Sequence, residues 1–168
     1  MKKNNTKEMV TAAVLIAASI VLSRFLSINA CNLKIGFTFV PVFVAAYLYG
    51  PLIGGMVGGI ADFLGAVLFP IGPYFPGFTL TCALTGVVFG LLLHKKQSGL
   101  RVLAASAINQ LILGLLLNTY WIVLLYGLSF RVLFLTRMVQ CAVMLPVEFL
   151  LIGAICKVFA HQGKVLMG

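Results

Sequence analysis

The chain has 168 residues, of which 62% are hydrophobic and only 9% are charged, so it cannot form the surface of an ordinary soluble domain. Since a membrane-spanning helix takes about 20 apolar residues, this length allows roughly six spans and leaves no room for an attached ATPase or soluble catalytic module. Twelve Lys and Arg against three Asp and Glu give a formal charge of +9, which we interpret as setting membrane orientation rather than binding nucleic acid.

Glycines, prolines and charges divide the chain into six apolar segments. The first resembles a signal peptide, but its apolar run continues to Ile28 and the following chain is equally apolar, so we expect a retained helix. The predicted helices cover residues 9–28, 35–49, 52–69, 77–94, 102–126 and 132–159. We therefore predict an all-α integral membrane protein, in which residues 1–168 form a single six-helix transmembrane bundle.

The basic residues fall unevenly at the two ends of these predicted helices. Most lie on the side of the two termini, which the positive-inside rule makes cytoplasmic. These are Lys2, Lys3, Lys7, Lys95, Lys96, Arg101, Lys157 and Lys164. The remaining cations lie on the opposite side, where that rule gives them no purpose. They are Arg24, Lys34, Arg131 and Arg137.

Small residues recur at four-residue spacing on two of the predicted helices. Gly50, Gly54 and Gly58 form such a series on helix 3, which predicts close packing against neighbouring helices. Ala13 and Ala17 on helix 1 form a smaller one. Because helix 1 begins the bundle, a groove of small residues there could instead receive another subunit.

Helix 6 carries a polar stripe. Arg137, Gln140 and Glu148 lie at positions 0, +3 and +11 of one helical face. Ionisable groups at membrane depth cost several kcal/mol unless they are paired or hydrated, so this face predicts a polar cavity or internal ion pairs. Asp62 on helix 3 is a second such group. An equally good explanation is that Asp62 and Glu148 are buried structural partners of an arginine or of a helix end.

Polar and aromatic side chains gather near the non-cytoplasmic ends of the helices. Asn118 and Trp121 lie three residues apart and share a face of helix 5. With Arg24 and Arg137 they describe a pocket with flat apolar walls, hydrogen-bonding groups and cationic ends, which suits a planar heteroaromatic ligand with carboxylates. The sequence contains no metal-binding, nucleophile or nucleotide-binding motif. We therefore expect that the chain is not an enzyme and does not itself use ATP.

Several segments of the chain resemble a known family. They are Arg24-Phe-Leu-Ser-Ile28, Ile35-Gly-Phe-Thr-Phe-Val-Pro41, Tyr49-Gly-Pro-Leu-Ile-Gly-Gly-Met-Val-Gly-Gly-Ile-Ala-Asp62, Pro70-Ile-Gly-Pro-Tyr-Phe-Pro-Gly-Phe-Thr-Leu80 and Leu117-Asn-Thr-Tyr-Trp-Ile-Val-Leu-Leu-Tyr-Gly127. Together with the helix 6 match that opens at Arg137, they resemble the folate-specific S component, the substrate-binding subunit, of energy-coupling-factor (ECF) vitamin transporters.

This resemblance implies a multi-pass protein of a prokaryotic plasma membrane that captures folate from outside with high affinity. Its partners would be a transmembrane T component and two cytoplasmic ATPases, which use ATP, so that this chain binds no cofactor and catalyses nothing. The family's contact with the T component carries over to Ala13 and Ala17. The family's pocket carries over to the regions of Arg24, Tyr74, Phe75, Trp121 and Arg137.

Folate chemistry assigns candidate roles to these side chains. Amides and carboxylates accept from the amino group and ring N–H of a pterin, aromatic rings stack on its faces, and arginine binds carboxylates in a bidentate manner. The candidates for hydrogen bonds to the pterin edge are Asp62, Asn118 and Gln140, and those for stacking on its faces are Trp121, Tyr74 and Phe75. The candidate cations for the folate carboxylates are Arg24, Lys34, Arg131 and Arg137, of which we favour Arg24 and Arg137.

Three alternatives remain open from the sequence. The chain could be an S component for another vitamin or precursor, such as pantothenate, riboflavin or a deazapurine. It could be a stand-alone proton-coupled permease with Asp62 or Glu148 as proton carrier. It could also be a purely structural membrane subunit, in which case the outward cations have no ligand.

Overall fold

The computed structural model describes residues 5–25, 28–30, 33–70, 72–94, 98–127 and 129–165, except for the side chains of residues 5, 28–30, 33–35 and 160–165. Six helices and one short hairpin follow each other along this part of the chain. They are α1 (Asn5–Arg24), β1 (Ile28–Ala30), β2 (Leu33–Ile35), α2 (Phe39–Tyr49), α3 (Pro51–Leu68), α4 (Pro76–Leu93), α5 (Gly99–Tyr126) and α6 (Phe130–Val165).

Five of the described helices are long and apolar enough to cross a membrane. They are all except α2, whose 11 residues rise only about 16 Å at 1.5 Å per residue. The hydrocarbon core of a bilayer is about 30 Å thick, so α2 alone is too short to cross it. The predicted helical membrane fold is therefore confirmed in its coarse form, with α2 as the shorter sixth helix.

The predicted ends of the first two helices are wrong, because a β-hairpin lies between them. α1 ends at Arg24 rather than at residue 28, and α2 begins at Phe39 rather than at residue 35. In the hairpin, antiparallel pairing places Ile28 opposite Ile35 and Asn29 opposite Lys34. Periodicity cannot separate a strand of three residues from a helical turn in an apolar run, so the hydrophobic pattern does not predict this hairpin.

Proline and glycine set the other helix boundaries. Pro51 and Pro76 occupy the first positions of α3 and α4, where the missing proline N–H leaves no helical bond unmade. Gly50 reverses the chain between α2 and α3 with φ +94°, and Gly127 ends α5 with φ +64°. Both conformations disfavour residues with a Cβ. α3 and α4 therefore begin one residue before their predicted starts.

The middle of α5 is π-helical. Residues Ile108–Leu117 take this wider form between α-helical ends, and the backbone N–H of Asn118 donates to the carbonyl of Leu113, five residues earlier. A π turn holds more residues than an α turn, so it rotates the following side chains relative to the preceding ones. A single helical period therefore does not show which residues share a face along the whole of α5.

Glycines allow α3 to lie directly against α2 and α4. A Cβ added to Gly86 on α4 would overlap the carbonyl of Gly54, and one added to Gly58 would overlap the carbonyl of Cys82. A Cβ on Gly54 would also meet Ala46 of α2. These close backbone contacts are the packing predicted from the four-residue spacing.

The apolar core fills one half of the bundle. It gathers around Phe43, Phe89 and Ile152, with the rings of Phe43 and Phe89 in edge contact at 5.8 Å. Its members come from α2, the end of α4, the beginning of α5 and the part of α6 from Met144 onward. The opposite halves of these same helices are left to enclose a cavity, which places the site at the end of the bundle where α1 and α3 finish.

Candidate functional site

A cavity of about 580 Å³ opens between the six helices and the segment that precedes α4. This volume lies within the range of about 300–1,000 Å³ that ligand pockets occupy. The described polar and aromatic side chains of its wall include Ser19, Ser23, Arg24, Asp62, Tyr74, Phe75, Phe78, Thr81, Thr85, Asn109, Gln110, Asn118, Tyr126, Arg137 and Gln140. The cavity is thus mixed in character, with charged, amide and ring groups facing a common space.

Arg24, the last residue of α1, enters the cavity over a glycine. A Cβ on Gly65 of α3 would be 3.2 Å from Nε and 3.4 Å from Nη2 of Arg24, so the guanidinium occupies the space that a side chain would fill. Its Nε is buried, and none of the residues that the structure describes offers it a hydrogen bond. A buried N–H of this kind calls for an acceptor, and a carboxylate is the strongest partner that a guanidinium can take.

Arg137 enters the cavity from α6, and only 9% of its surface is exposed. Its Nη1 donates to the carbonyl oxygen of Gly114 at 3.1 Å, within the π-helical part of α5. Its Nε, like that of Arg24, is buried, with no hydrogen-bond partner among the described side chains and backbone. One edge of this guanidinium is therefore fixed by the protein while another donor is left for a ligand.

The contact between α5 and α6 repeats one turn further in. Cys141 follows Arg137 by four residues, and its thiol donates to the carbonyl oxygen of Gln110 at 3.2 Å. Both accepting carbonyls lie in the π-helical segment. α6 therefore holds the irregular part of α5 in place along the cavity wall.

Asp62 on α3 is held by hydroxyl groups from the segment around α4. The hydroxyl of Thr79 donates to Oδ2 of Asp62 at 2.9 Å and lies 3.3 Å from the phenol oxygen of Tyr74. Tyr74 also contacts the ring of Phe63 edge-on at 5.8 Å. Asp62 itself lines the cavity.

Aromatic rings form the wall beside the start of α4. Phe75 lines the cavity and contacts Trp121 at a centroid distance of 5.5 Å. The indole N–H of Trp121 donates to the hydroxyl of Thr81 at 3.2 Å, and its ring fills the space beside Gly77. Trp121 is absent from the cavity lining, so it supports Phe75 from behind instead of presenting its own face.

The inner end of the cavity is built from amides. Asn109 donates through Nδ2 to Oε1 of Glu148 at 2.8 Å, and Gln110 donates through Nε2 to Oε2 of the same carboxyl group. The hydroxyl of Thr85 donates to Oδ1 of Asn109 at 2.8 Å. Glu148 is fully buried. Its partners are thus two amides, where the sequence suggested an arginine or a helix end.

The structure brings most of the predicted site residues to this cavity. Those on its wall are Arg24, Asp62, Tyr74, Phe75, Asn118, Arg137 and Gln140. Trp121 lies one layer behind the wall. Arg131 is exposed at the start of α6 and does not line it. Lys34 lies in β2, and its side chain is outside the described part of the chain.

Ala13 and Ala17, the predicted partner-contact residues, are both exposed on α1. They face away from the cavity, which α1 lines through Ser19, Ser23 and Arg24. Large apolar side chains flank them on the same helix, and Val14 is 63% exposed. One helix therefore presents a polar face to the cavity and an apolar, partly small-residue face outward.

The sequence reasoning missed the two amides and Thr85 at the inner end. Asn109 and Gln110 are adjacent polar residues within a membrane-spanning helix, which is itself a signal of an internal site.

Among the described residues, no group of three or more His, Cys, Asp or Glu side chains comes together that could hold a metal ion. The cavity is thus suited to an organic ligand with both acidic and hydrogen-bonding parts.

These features define a class of protein. Residues 7–156 match the family described as ECF transporter, substrate-specific component, and the chain belongs to this family. Members are membrane proteins that bind a substrate for a transporter, so the chain is a substrate-binding subunit and not an enzyme.

Two curated relatives are similar over most of their length. The folate transporter FolT of Clostridium novyi (strain NT) is 42% identical over 153 residues, which cover 90% of this chain and 88% of the relative. The folate transporter FolT of Leuconostoc mesenteroides subsp. mesenteroides is 32% identical, over 87% of this chain and 82% of the relative.

Two solved structures share the fold. A crystal structure of FolT bound with folic acid superposes with a TM-score of 0.85 at 31% identity, covering 89% of this chain and 92% of that one. The S component of a bacterial ECF transporter superposes with a TM-score of 0.72, covering 96% and 99%. At 21% identity, the second similarity concerns the fold alone.

Proposed function

We propose that the chain binds folate with high affinity from outside the cell, as the substrate-specificity subunit of an ECF-type uptake transporter. The observation that carries this proposal is the pair of arginines, Arg24 and Arg137, which line one cavity and whose buried Nε atoms have no hydrogen-bond partner within the described part of the chain. The similarity to relatives named folate transporters, and to a structure of FolT with folic acid, supports this choice of ligand.

The cavity offers a place for each part of folate. Arg24 and Arg137 bind the glutamate carboxylates, and Lys34 on the hairpin is a further candidate cation. Tyr74 and Phe75 contact the face of the ring system, and Trp121 holds Phe75 in place. Candidates for hydrogen bonds to the pterin edge are Asp62, Asn118 and Gln140.

The energy for uptake comes from partner subunits in this proposal. A transmembrane T component contacts the outward face of α1 at Ala13 and Ala17, where the small side chains let a second helix approach closely. Two cytoplasmic ATPases bound to that component hydrolyse ATP. The chain itself binds no cofactor and supplies the specificity.

Both termini face the cytoplasm in this arrangement, in a prokaryotic plasma membrane. The excess of Lys and Arg at the terminal side of the bundle supports this orientation. The cavity then lies at the outer side, where α1 ends at Arg24 and α3 ends at Leu68. A ligand can therefore enter from outside without crossing the apolar core.

A competition experiment tests the ligand. The purified chain is saturated with labelled folate in detergent, without ATP or partner subunits, and challenged with unlabelled folate, pantothenate, riboflavin and a deazapurine. Folate alone should displace the label at micromolar concentration. Displacement by one of the other compounds, with weaker competition by folate, would favour an S component for that vitamin or precursor.

The same preparation tests the permease alternative, which the relatives do not favour. Reconstituted into vesicles without ATPases, the chain should show no folate uptake driven by a pH gradient. Uptake under these conditions would favour a stand-alone proton-coupled permease.

A further inference from the structure

Glu148 is a fully buried acidic residue that the assignment of folate contacts does not use. It lies on α6, eleven residues after Arg137, which corresponds to about 16 Å along the helix. Its carboxyl group lies at the inner end of the cavity, behind Asn109 and Gln110. Glu148 therefore lies deeper along α6 than Arg137 does, and it reaches the cavity wall through these two amides.

The hydrogen bonds of Glu148 define how the two neighbouring amides are turned. Each carboxyl oxygen accepts one amide N–H, from Asn109 at Oε1 and from Gln110 at Oε2. A carboxylate has no hydrogen to donate, so the opposite orientation of either amide would place two acceptors against each other. The carbonyl oxygens of both amides must therefore point away from Glu148.

Both carbonyl oxygens point toward other groups of the cavity wall. Oδ1 of Asn109 accepts from the hydroxyl of Thr85. Oε1 of Gln110 lies beside Gly114, where an added Cβ would be 3.4 Å away. Asn109, Gln110, Thr85 and Gly114 all line the cavity. Because an amide oxygen has two lone pairs, Oδ1 of Asn109 can accept a further hydrogen bond beside the one from Thr85.

We infer that Glu148 is a positioning residue that fixes Asn109 and Gln110 as acceptors and so selects ligands whose inner edge carries N–H donors. This inference rests on the proposed function. A pterin fits the rule, because its exocyclic amino group and neighbouring ring N–H are adjacent donors; for this edge, Asn109 and Gln110 take the place of the earlier candidates Asp62, Asn118 and Gln140.

The substitution Glu148→Gln tests the rule because glutamine has the same shape but one donor and one acceptor. The new side chain accepts from one amide and donates to the other, which must turn and offer its NH₂ group to the cavity. The matched ligands are folate and its 2-oxo analogue, in which the exocyclic amino group is replaced by a carbonyl oxygen. One ligand donates where the other accepts.

Calorimetric titration of the full chain in detergent measures the ratio of the two affinities. The unsubstituted chain should prefer folate by roughly tenfold or more, the effect of one mismatched buried hydrogen bond. In E148Q this preference should shrink to near one or reverse, with a gain in absolute affinity for the 2-oxo analogue. A loss of structure cannot produce that gain.

Glu148→Asp keeps an acceptor-only carboxylate on a shorter stem. It should bind both ligands more weakly and keep the preference for folate. Val143→Leu, at an exposed position of the same helix, should change neither affinity. If E148Q keeps the unsubstituted chain's preference for folate, even with weaker binding of both ligands, the positioning role is overturned.

The failure of this inference is distinguishable from failure of the proposed function. If the unsubstituted chain binds no folate, the proposed function fails. If it binds folate and the 2-oxo analogue equally well, folate remains the ligand and the acceptor rule fails.

Discussion

The guanidinium of Arg137 donates through Nη1 to the carbonyl oxygen of Gly114, 3.1 Å away in the π-helical part of α5. This bond fixes the direction of a side chain that would otherwise move freely, and it leaves the buried Nε for a ligand. A preoriented guanidinium loses less conformational entropy on binding an anion than a mobile one does.

Arg137→Ala should weaken folate binding by roughly 1.5–3 kcal/mol, since it removes a charge-assisted bond in a buried site. The matched control is Arg131→Ala, because Arg131 lies on the same helix and carries the same charge but is exposed. Calorimetric titration with folate checks both variants. Equal losses in the two would mean that only the overall charge of the outer surface matters.

Gly65→Val should displace Arg24 and weaken folate binding nearly as much as Arg24→Ala does. A Cβ at Gly65 already comes within 3.2 Å of Nε, and the two further methyl groups of valine have no room while the guanidinium stays. The double variant should bind no more weakly than Arg24→Ala alone. Additive losses in this cycle would show that Gly65 acts independently of Arg24.

Trp121 is the only tryptophan of the chain, so its fluorescence reports on the cavity wall. Folate should quench this emission, because a pterin against Phe75 lies one ring away from the indole and absorbs where tryptophan emits. Trp121→Phe should abolish the signal while calorimetry still detects folate binding, weakened by less than about tenfold for the lost bond to Thr81. Unquenched emission from a folate-saturated chain would place the ligand elsewhere.

Gly86→Ala should lower the stability of the bundle by about 1–3 kcal/mol, because its methyl group overlaps the carbonyl of Gly54 and forces α3 and α4 apart. Gly153→Ala is the control: nothing lies within 4 Å of its added Cβ, and alanine favours the helix. Thermal unfolding in detergent should show a lower midpoint for G86A and an unchanged or higher one for G153A. Equal midpoints would contradict the close packing of these helices.

Ala13→Trp should prevent association with the T component and leave folate binding intact, since Ala13 is exposed and far from the cavity lining. Co-purification with the ATPases measures the first effect, and calorimetry measures the second. Val143→Trp on the exposed side of α6 provides a control of equal bulk. Retained co-purification of the Ala13→Trp variant would remove the proposed contact.

Charge and composition predicted a large part of this site. Arg24 and Arg137 stood out because orientation alone gave them no purpose, and the structure places both at the cavity. The four-residue glycine spacing likewise predicted the close approach of α3 to its neighbours. The first prediction depends on the cost of an unpaired charge in a membrane, and the second depends on the small size of glycine. Neither property depends on which helices lie nearby.

The remaining features depend on contacts between distant residues. The hairpin at Ile28–Ala30 and Leu33–Ile35 is too short for a periodic signal. The partners of Glu148 could not be derived from α6 alone, because Asn109 and Gln110 lie on a different helix, in its π-helical segment. Trp121 likewise shares a predicted face with Asn118, yet it packs behind Phe75.

The most direct test of the central claim, that the cationic end of this cavity exists to hold an acidic vitamin, is a calorimetric comparison of folate with pteroate, which lacks the glutamate. Without ATP or partner subunits, the purified chain should bind folate well below micromolar concentration and pteroate at least about tenfold more weakly. The double variant R24A/R137A should lose this difference. No folate binding at micromolar concentration, or equal affinities of the unsubstituted chain for the two compounds, would contradict the claim.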